Sequence, residues 1–163
     1  MCLRYFNVFG PRRDPASLYS GVLAKFITQM LEGEPPTIFG DGKQSRDFTY
    51  VDNIDDANLL ACTAQRGEVA GRVFNVATGR RTDLYQTFQI LKKLIGYSDE
   101  AKYGEEREED VKHSLADISL PGKHLGYKPK VDFEEGLERT IAWYRNREVE
   151  LQFGQPATCR DVG

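Results

Sequence analysis

A chain of 163 residues, 40 % of them apolar and with nine Phe, eight Tyr and one Trp, can bury a real core and is expected to fold as one domain. That composition excludes a disordered segment. A net charge of −3, with no basic run longer than the Arg12-Arg13 and Arg80-Arg81 pairs, argues against nucleic acid as the main partner.

No apolar stretch approaches ~18 residues, so no membrane span is expected. The opening MCLRYFNVFG has no basic region followed by an apolar one and does not read as a signal peptide. Residues 3–8 (LRYFNV) alternate and are β-rich, which predicts a strand that Gly10-Pro11 ends. A charged loop follows over residues 12–16. Val22, Phe26 and Met30 recur at four, as do Leu23, Ile27 and Leu31, which predicts a helix over residues 19–32. Gly33 closes it and Pro35-Pro36 prevents resumption.

Residues 37–39 read as a short extended piece before the stretch GDGKQSRDFTYVDNIDD. Gly40-Asp41-Gly42 is a tight turn, because the glycines admit positive φ around an Asp that can bond its own backbone. Lys43 and Arg46 then place two cations close together, and residues 47–51 are a β-prone run. A guanidinium held between a glycine turn and a strand suits a phosphate, since its planar fork bonds two oxygens at once. Asp52 and Asp55 resemble a capping box that starts a helix. That helix should bury Ile54, Ala57, Leu60, Ala61 and Ala64, and Gly67 should stop it.

Residues 72–77 (RVFNVA) predict another strand, turned at Gly79. Thr82 is the expected N-cap of a helix that reaches Ile95, buries Leu84, Phe88, Leu91 and Ile95, and ends at Gly96. Residues 101–103 suit a short strand, and residues 104–110 an acidic loop. A short helix is expected over residues 117–124, with Pro121 in its first turn. Asp132 and Glu135 form a second box-like pair before a helix to Arg147 that buries Leu137, Ile141 and Tyr144. Beyond it, residues 148–163 read as a frayed tail.

Cys2, Cys62 and Cys159 are too widely spaced for a CxxC or zinc site, and read as reduced thiols in a cytoplasmic protein. His113 and His124 have no metal-binding partner spacing. Asp52, Asp55 and Asp56 lack the spacing of a calcium loop and suit a helix start, so no metal is expected.

Several blocks resemble one family. GDGKQSRDFTYVDNI is similar to a loop of the extended short-chain dehydrogenase/reductases that act on nucleotide sugars, closest to the UDP-glucose and UDP-N-acetylglucosamine 4-epimerases. LRYFNVFGP, FNVATGRRT, DVKHSLADIS and LGYKPKVDFEEGL match in the family's order. The resemblance covers residues 2–147 and corresponds to the carboxy-terminal half of a full member. It implies an α/β fold: edge strands of a Rossmann-type parallel sheet plus a small α/β lobe that binds the nucleotide sugar. The parent reaction it implies is inversion at C4 of a UDP-hexose, in which NAD takes a hydride from C4 and returns it to the other face. UDP-glucuronate decarboxylases and dTDP-glucose 4,6-dehydratases are related readings, and a non-catalytic nucleotide-sugar binder is a further one.

By the resemblance, Phe6 lies by the nicotinamide of NAD and Asn7 bonds the diphosphate. Gly21 and Val22 meet the nucleotide with their backbone. Thr37 and Phe39 border the uracil. Arg46 binds phosphate beside the wall residue Phe48. Arg80 lines the pocket. Arg107 binds the diphosphate and Asp110 the ribose, although this chain has Glu109 where the family usually has Gly. Ser114 stands where a bulky aromatic would close off the sugar's 2-substituent, which implies that UDP-N-acetylglucosamine is accepted as well as UDP-glucose and UDP-galactose. Read as residues alone, Phe6 and Phe39 are equally core aromatics and Gly21-Val22 a plain helix start. Arg46 could be a surface partner of Asp47, and Arg107 part of a solvated charge run.

The family's glycine fingerprint and its Tyr-x-x-x-Lys pair are absent from the sequence. The expectation is therefore that NAD is bound mainly by a missing amino-terminal half and that this chain alone is inactive. A strand over residues 3–8 with one bare edge also predicts self-association.

Overall fold

The computed structural model describes residues 1–13, 21–106 and 111–153, with those from 147 onward as helix backbone only. The run expected as one strand is two. β1 (Cys2–Tyr5) and β2 (Val8–Phe9) are separated by Phe6-Asn7, where Asn7 adopts φ 34°. Asn tolerates that left-handed region because its short polar side chain can bond locally. The chain then continues through α1 (Val22–Leu31), β3 (Thr37–Phe39), β4 (Ser45–Arg46) and β5 (Thr49–Tyr50). α2 (Val51–Thr63) and the one-turn α3 (Arg66–Val69) precede β6 (Val73–Val76) and β7 (Thr82–Asp83). α4 (Leu84–Ile95), β8 (Lys102–Gly104), α5 (Ser119–Leu125) and α6 (Phe133–Phe153) complete the order. None of these helices is long and apolar enough to cross a membrane.

Local expectations hold where the signal is local. Lys43 N–H donates to Asp41 Oδ1 at 2.9 Å, closing the Gly-Asp-Gly turn with both glycines at positive φ. Gly96 caps α4 in the left-handed region, at φ 78°. Other caps differ. α2 begins at Val51 with no side-chain cap, because the Asp52 carboxylate instead pairs with Arg139 of α6 at 2.9 Å. Gly67 lies inside α3 and does not stop α2, which ends at an extended Ala64. Asp83, not Thr82, caps α4 by accepting from the Gln86 N–H at 2.7 Å, while Thr82 is drawn into β7. Asp132 caps α6 through the Glu135 N–H at 2.9 Å, but the Glu135 carboxylate goes to Arg139 at 2.6 Å and not back to the cap. α6 runs past Arg147 to Phe153, since Glu, Leu and Gln sustain a helix after the apolar stripe has faded.

The strands pair two by two. β1 lies parallel to β6, with Cys2 opposite Val73 and Tyr5 opposite Val76. β2 lies parallel to β5, and β3 parallel to β8. β4 and β7 are antiparallel, with Arg46 opposite Thr82. The parallel pairs need long crossovers, and helices fill them. The fold is thus mixed α/β, as expected.

Two cores result. Phe26, Ile27, Phe48, Phe88, Leu91, Leu137 and Ile141 form the larger, where α1, α4 and α6 pack together. Phe74, Val76, Ile54, Ala57, Leu125 and Tyr127 form a smaller one beneath the β1–β6 pair. Between them Asn53 is buried yet satisfied. Its Nδ2 donates to Val131 O at 2.8 Å, and its Oδ1 accepts from Lys130 and Val131 N–H at 2.8 and 3.1 Å. This amide ties α2 to the segment that leads into α6.

Candidate functional site

A cleft of about 730 Å³ opens between the start of α1, the β3–β4 segment and the end of β2. Asn7, Gly21, Val22, Thr37, Phe39, Arg46 and Phe48 all line it, drawn together from separate elements. Each reaches the cleft for a local reason. The kink at Asn7 redirects the chain from the β6 partner to the β5 partner. The Asn7 side chain is held by donation to Asp47 O at 3.1 Å, and its own carbonyl accepts from Thr49 N–H at 3.3 Å.

Gly21 is the N-cap of α1, extended at φ −63° and ψ 157°, with no side-chain cap bond among the described residues and no acidic residue in the first turn. The helix therefore presents its positive end to the cleft. Arg13 comes to the same wall, its guanidinium about 3.9 Å from where a Gly21 Cβ would stand. Arg13 Nη1 donates to Val8 O at 3.0 Å, and Tyr144 Oη donates to the Arg13 carbonyl.

Opposite, Arg46 is fixed by β4. Its Nη1 donates to Ser45 O at 3.0 Å and to Lys112 O at 3.4 Å. The alternative of a surface pair with Asp47 does not hold. Asp47 has no exposed surface, and its carboxylate accepts from Thr78 and Gly79. Phe39 and Phe48 supply the apolar surface. The Phe39 ring lies on Gly104, where a Cβ would be 3.1 Å from its Cδ1, so glycine there makes room for it. Phe48 stacks on Phe133 at 5.1 Å and is as much core as wall. Gln44 Nε2 donates to the Phe39 carbonyl at 2.6 Å and also faces the cleft. At the turn, donation from Lys43 N–H holds the Asp41 carboxyl below its ordinary value.

Three expected residues do not line the cleft. Phe6 lies at the β1 end, donating its N–H to Val76 O at 3.1 Å. Arg80 is exposed, and its backbone N–H and carbonyl both bond Thr78 Oγ1, at 3.3 and 3.2 Å. Ser114 is half-buried behind β4, donating its N–H to Ser45 O at 3.0 Å. Beside it, Ser45 Oγ and His113 Nδ1 share a 2.9 Å hydrogen bond. Arg107 and Asp110 lie outside the described residues. Conversely, Arg13, Gln44 and Tyr144 line the cleft and were not foreseen. The Arg12-Arg13 pair was the only sequence signal for the first; Tyr144 was expected only as a core residue of the last helix, and Gln44 carried no signal. Among the described residues no group of His, Cys, Asp or Glu could hold a metal ion.

The chain is similar to nucleotide-sugar epimerases. A model of the NAD dependent epimerase/dehydratase family matches residues 1–77. A putative UDP-glucose 4-epimerase of Methanocaldococcus jannaschii is 40 % identical over 144 residues, which cover 88 % of this chain and 45 % of that protein. The crystal structure of a Thermotoga maritima UDP-glucose 4-epimerase with UDP-glucose superposes with a TM-score of 0.84 at 44 % identity, over 90 % of this chain and 46 % of that one. A UDP-N-acetylglucosamine 4-epimerase from Methanobrevibacter ruminantium, solved with UDP-N-acetylmuramic acid, gives 0.82 at 44 %, over 89 % and 46 %. The chain thus spans a little under half the length of the proteins it matches.

Proposed function

Because the chain belongs to the NAD-dependent epimerase/dehydratase family, we propose that it is the lobe that holds the uridine diphosphate of a UDP-hexose in a nucleotide-sugar 4-epimerase. One observation carries the reading: the start of α1, which has no side-chain cap among the described residues, Arg46 and the Phe39 ring face a single cleft. Helix N–H groups and a guanidinium favour a diphosphate, and an aromatic ring beside a strand suits a flat base. The negative net charge of the chain makes this local concentration of positive groups stand out. Held by its nucleotide, a hexose keeps the freedom to turn and present either face.

Neither the glycine fingerprint nor the Tyr-x-x-x-Lys pair occurs in the sequence. We assign the nicotinamide and the general base to residues outside this chain. The share of the reaction that belongs here is binding and orientation.

Calorimetric titration of the chain with UDP tests the proposal. Binding is expected, and Arg46→Ala should weaken it by about 2–5 kcal/mol, the cost of removing a charged partner from a partly desolvated phosphate. Unchanged affinity in Arg46→Ala would reject the assignment.

A further inference from the structure

We propose that Asp47 is a positioning residue for nucleotide binding: a buried carboxylate that touches no ligand but sets the place of Arg46 and Asn7. The inference rests on the reading of the cleft as a uridine diphosphate site. Asp47 stands between Arg46 and Phe48, both on the cleft wall, yet is itself wholly buried. Its Oδ1 accepts from Thr78 N–H at 2.9 Å and from Thr78 Oγ–H at 2.6 Å. Its Oδ2 accepts from Gly79 N–H at 3.0 Å and from Ala116 N–H at 3.4 Å. Its main-chain carbonyl accepts from Asn7 Nδ2 at 3.1 Å.

One residue therefore joins three separate segments immediately beside the guanidinium. The loop after β6, the segment before α5 and the kink at Asn7 all bond to it. The chemistry at the carboxylate admits no substitute of similar shape. A carboxylate is acceptor-only, with about four lone-pair sites, and four donors converge on it. An amide would turn an NH₂ toward backbone N–H groups on one side or the other. The loops would then back away, and the Arg46–Asp47–Phe48 backbone would shift with them. Asn7 would follow, because its side chain is anchored on the Asp47 carbonyl and its φ of 34° is a sparsely populated conformation that depends on its surroundings.

The test compares UDP with uridine, since Arg46 and Asn7 are assigned to the phosphates and not to the base. In Asp47→Asn, affinity for UDP should fall by roughly tenfold or more, in line with hydrogen bonds to a charged group. Affinity for uridine should stay the same. Asn53→Ala breaks a buried polar anchor away from the cleft and serves as a control: it should lower the thermal midpoint and leave both affinities alone. If Asp47→Asn does not fold, Thr78→Val, which removes one donor and keeps the carboxylate, carries the test with a smaller loss for UDP alone. Equal loss for UDP and uridine would reduce Asp47 to a general structural anchor and overturn the inference. So would an unchanged UDP affinity in the folded variant. A wild-type chain that binds no UDP would instead sink the reading of the cleft, and this inference with it.

Discussion

Thr49 is wholly buried in β5, and among the described residues its hydroxyl oxygen finds no hydrogen-bond partner. A buried hydroxyl left unpaired costs free energy that a methyl of similar shape does not. Thr49→Val is expected to stabilise the fold by up to about 1 kcal/mol, read as a higher denaturation midpoint. Tyr127 is the opposite case, buried and paired, with its hydroxyl donating to Ala77 O at 2.9 Å. Burial, with help from the charges of Asp47 and Asp56, pushes its phenol up from 10.0 to about 12. Below pH ~10 the phenol is protonated in both the folded and the unfolded chain, so its contribution is fully present. As pH rises from there toward 12, the unfolded chain loses its proton first and stability falls. The stability difference between wild type and Tyr127→Phe should shrink by roughly 2–3 kcal/mol across that window. A difference that stays flat in urea titrations from pH 9 to 12 would count against the buried, neutral phenol.

At the scale of elements, α6 shows packing opposing propensity. Gly136 lies one turn into the helix, where Ala would be favoured by about 1 kcal/mol on propensity alone. A Cβ there would stand 2.8 Å from Phe9 Cζ and 3.0 Å from Tyr50 Cβ and Cδ2. Phe9 is boxed in by Phe48, Tyr50 and Phe133 at ring distances of 6.4, 5.6 and 5.6 Å, so it has little room to yield. Overpacking of this kind costs about 1–3 kcal/mol and should win. Gly136→Ala is expected to lower the thermal midpoint; a rise would mean that α6 can slide off β2 and β5. The same tension explains the elements that sequence periodicity misplaced. Residues 3–8 alternate like one strand, but Asn7 divides them between two partners. Thr82 looks like a cap, but pairing with Arg46 turns it into a strand residue.

For the whole molecule, the β1–β6 pair is the exposed flank. Among the described residues β1 has a strand neighbour on one side only, and Tyr5, Val73 and Leu59 are exposed on or near this pair. A strand edge with apolar side chains on it is a template for another strand. The isolated chain is expected to self-associate in a concentration-dependent way by light scattering. A monodisperse monomer with protected amides over residues 2–5 would refute this.

Helix periodicity, the Gly33 and Gly96 stops and the Asp41 turn were all legible in the sequence, because each depends on residues within a few positions of one another. Seven of the residues that the resemblance singled out line one cleft, an assembly that the fold brings about and no local signal does. What tertiary structure alone decided is where chains distant in sequence meet. It buried Asp47 under donors from residues 78, 79 and 116, where a surface ion pair with Arg46 was the alternative the sequence left open. It turned Arg13 and Gln44 into the cleft and left Phe6, Arg80 and Ser114 outside it. A carboxylate reads the same in sequence whether it faces water or four converging donors; only the fold supplies the donors.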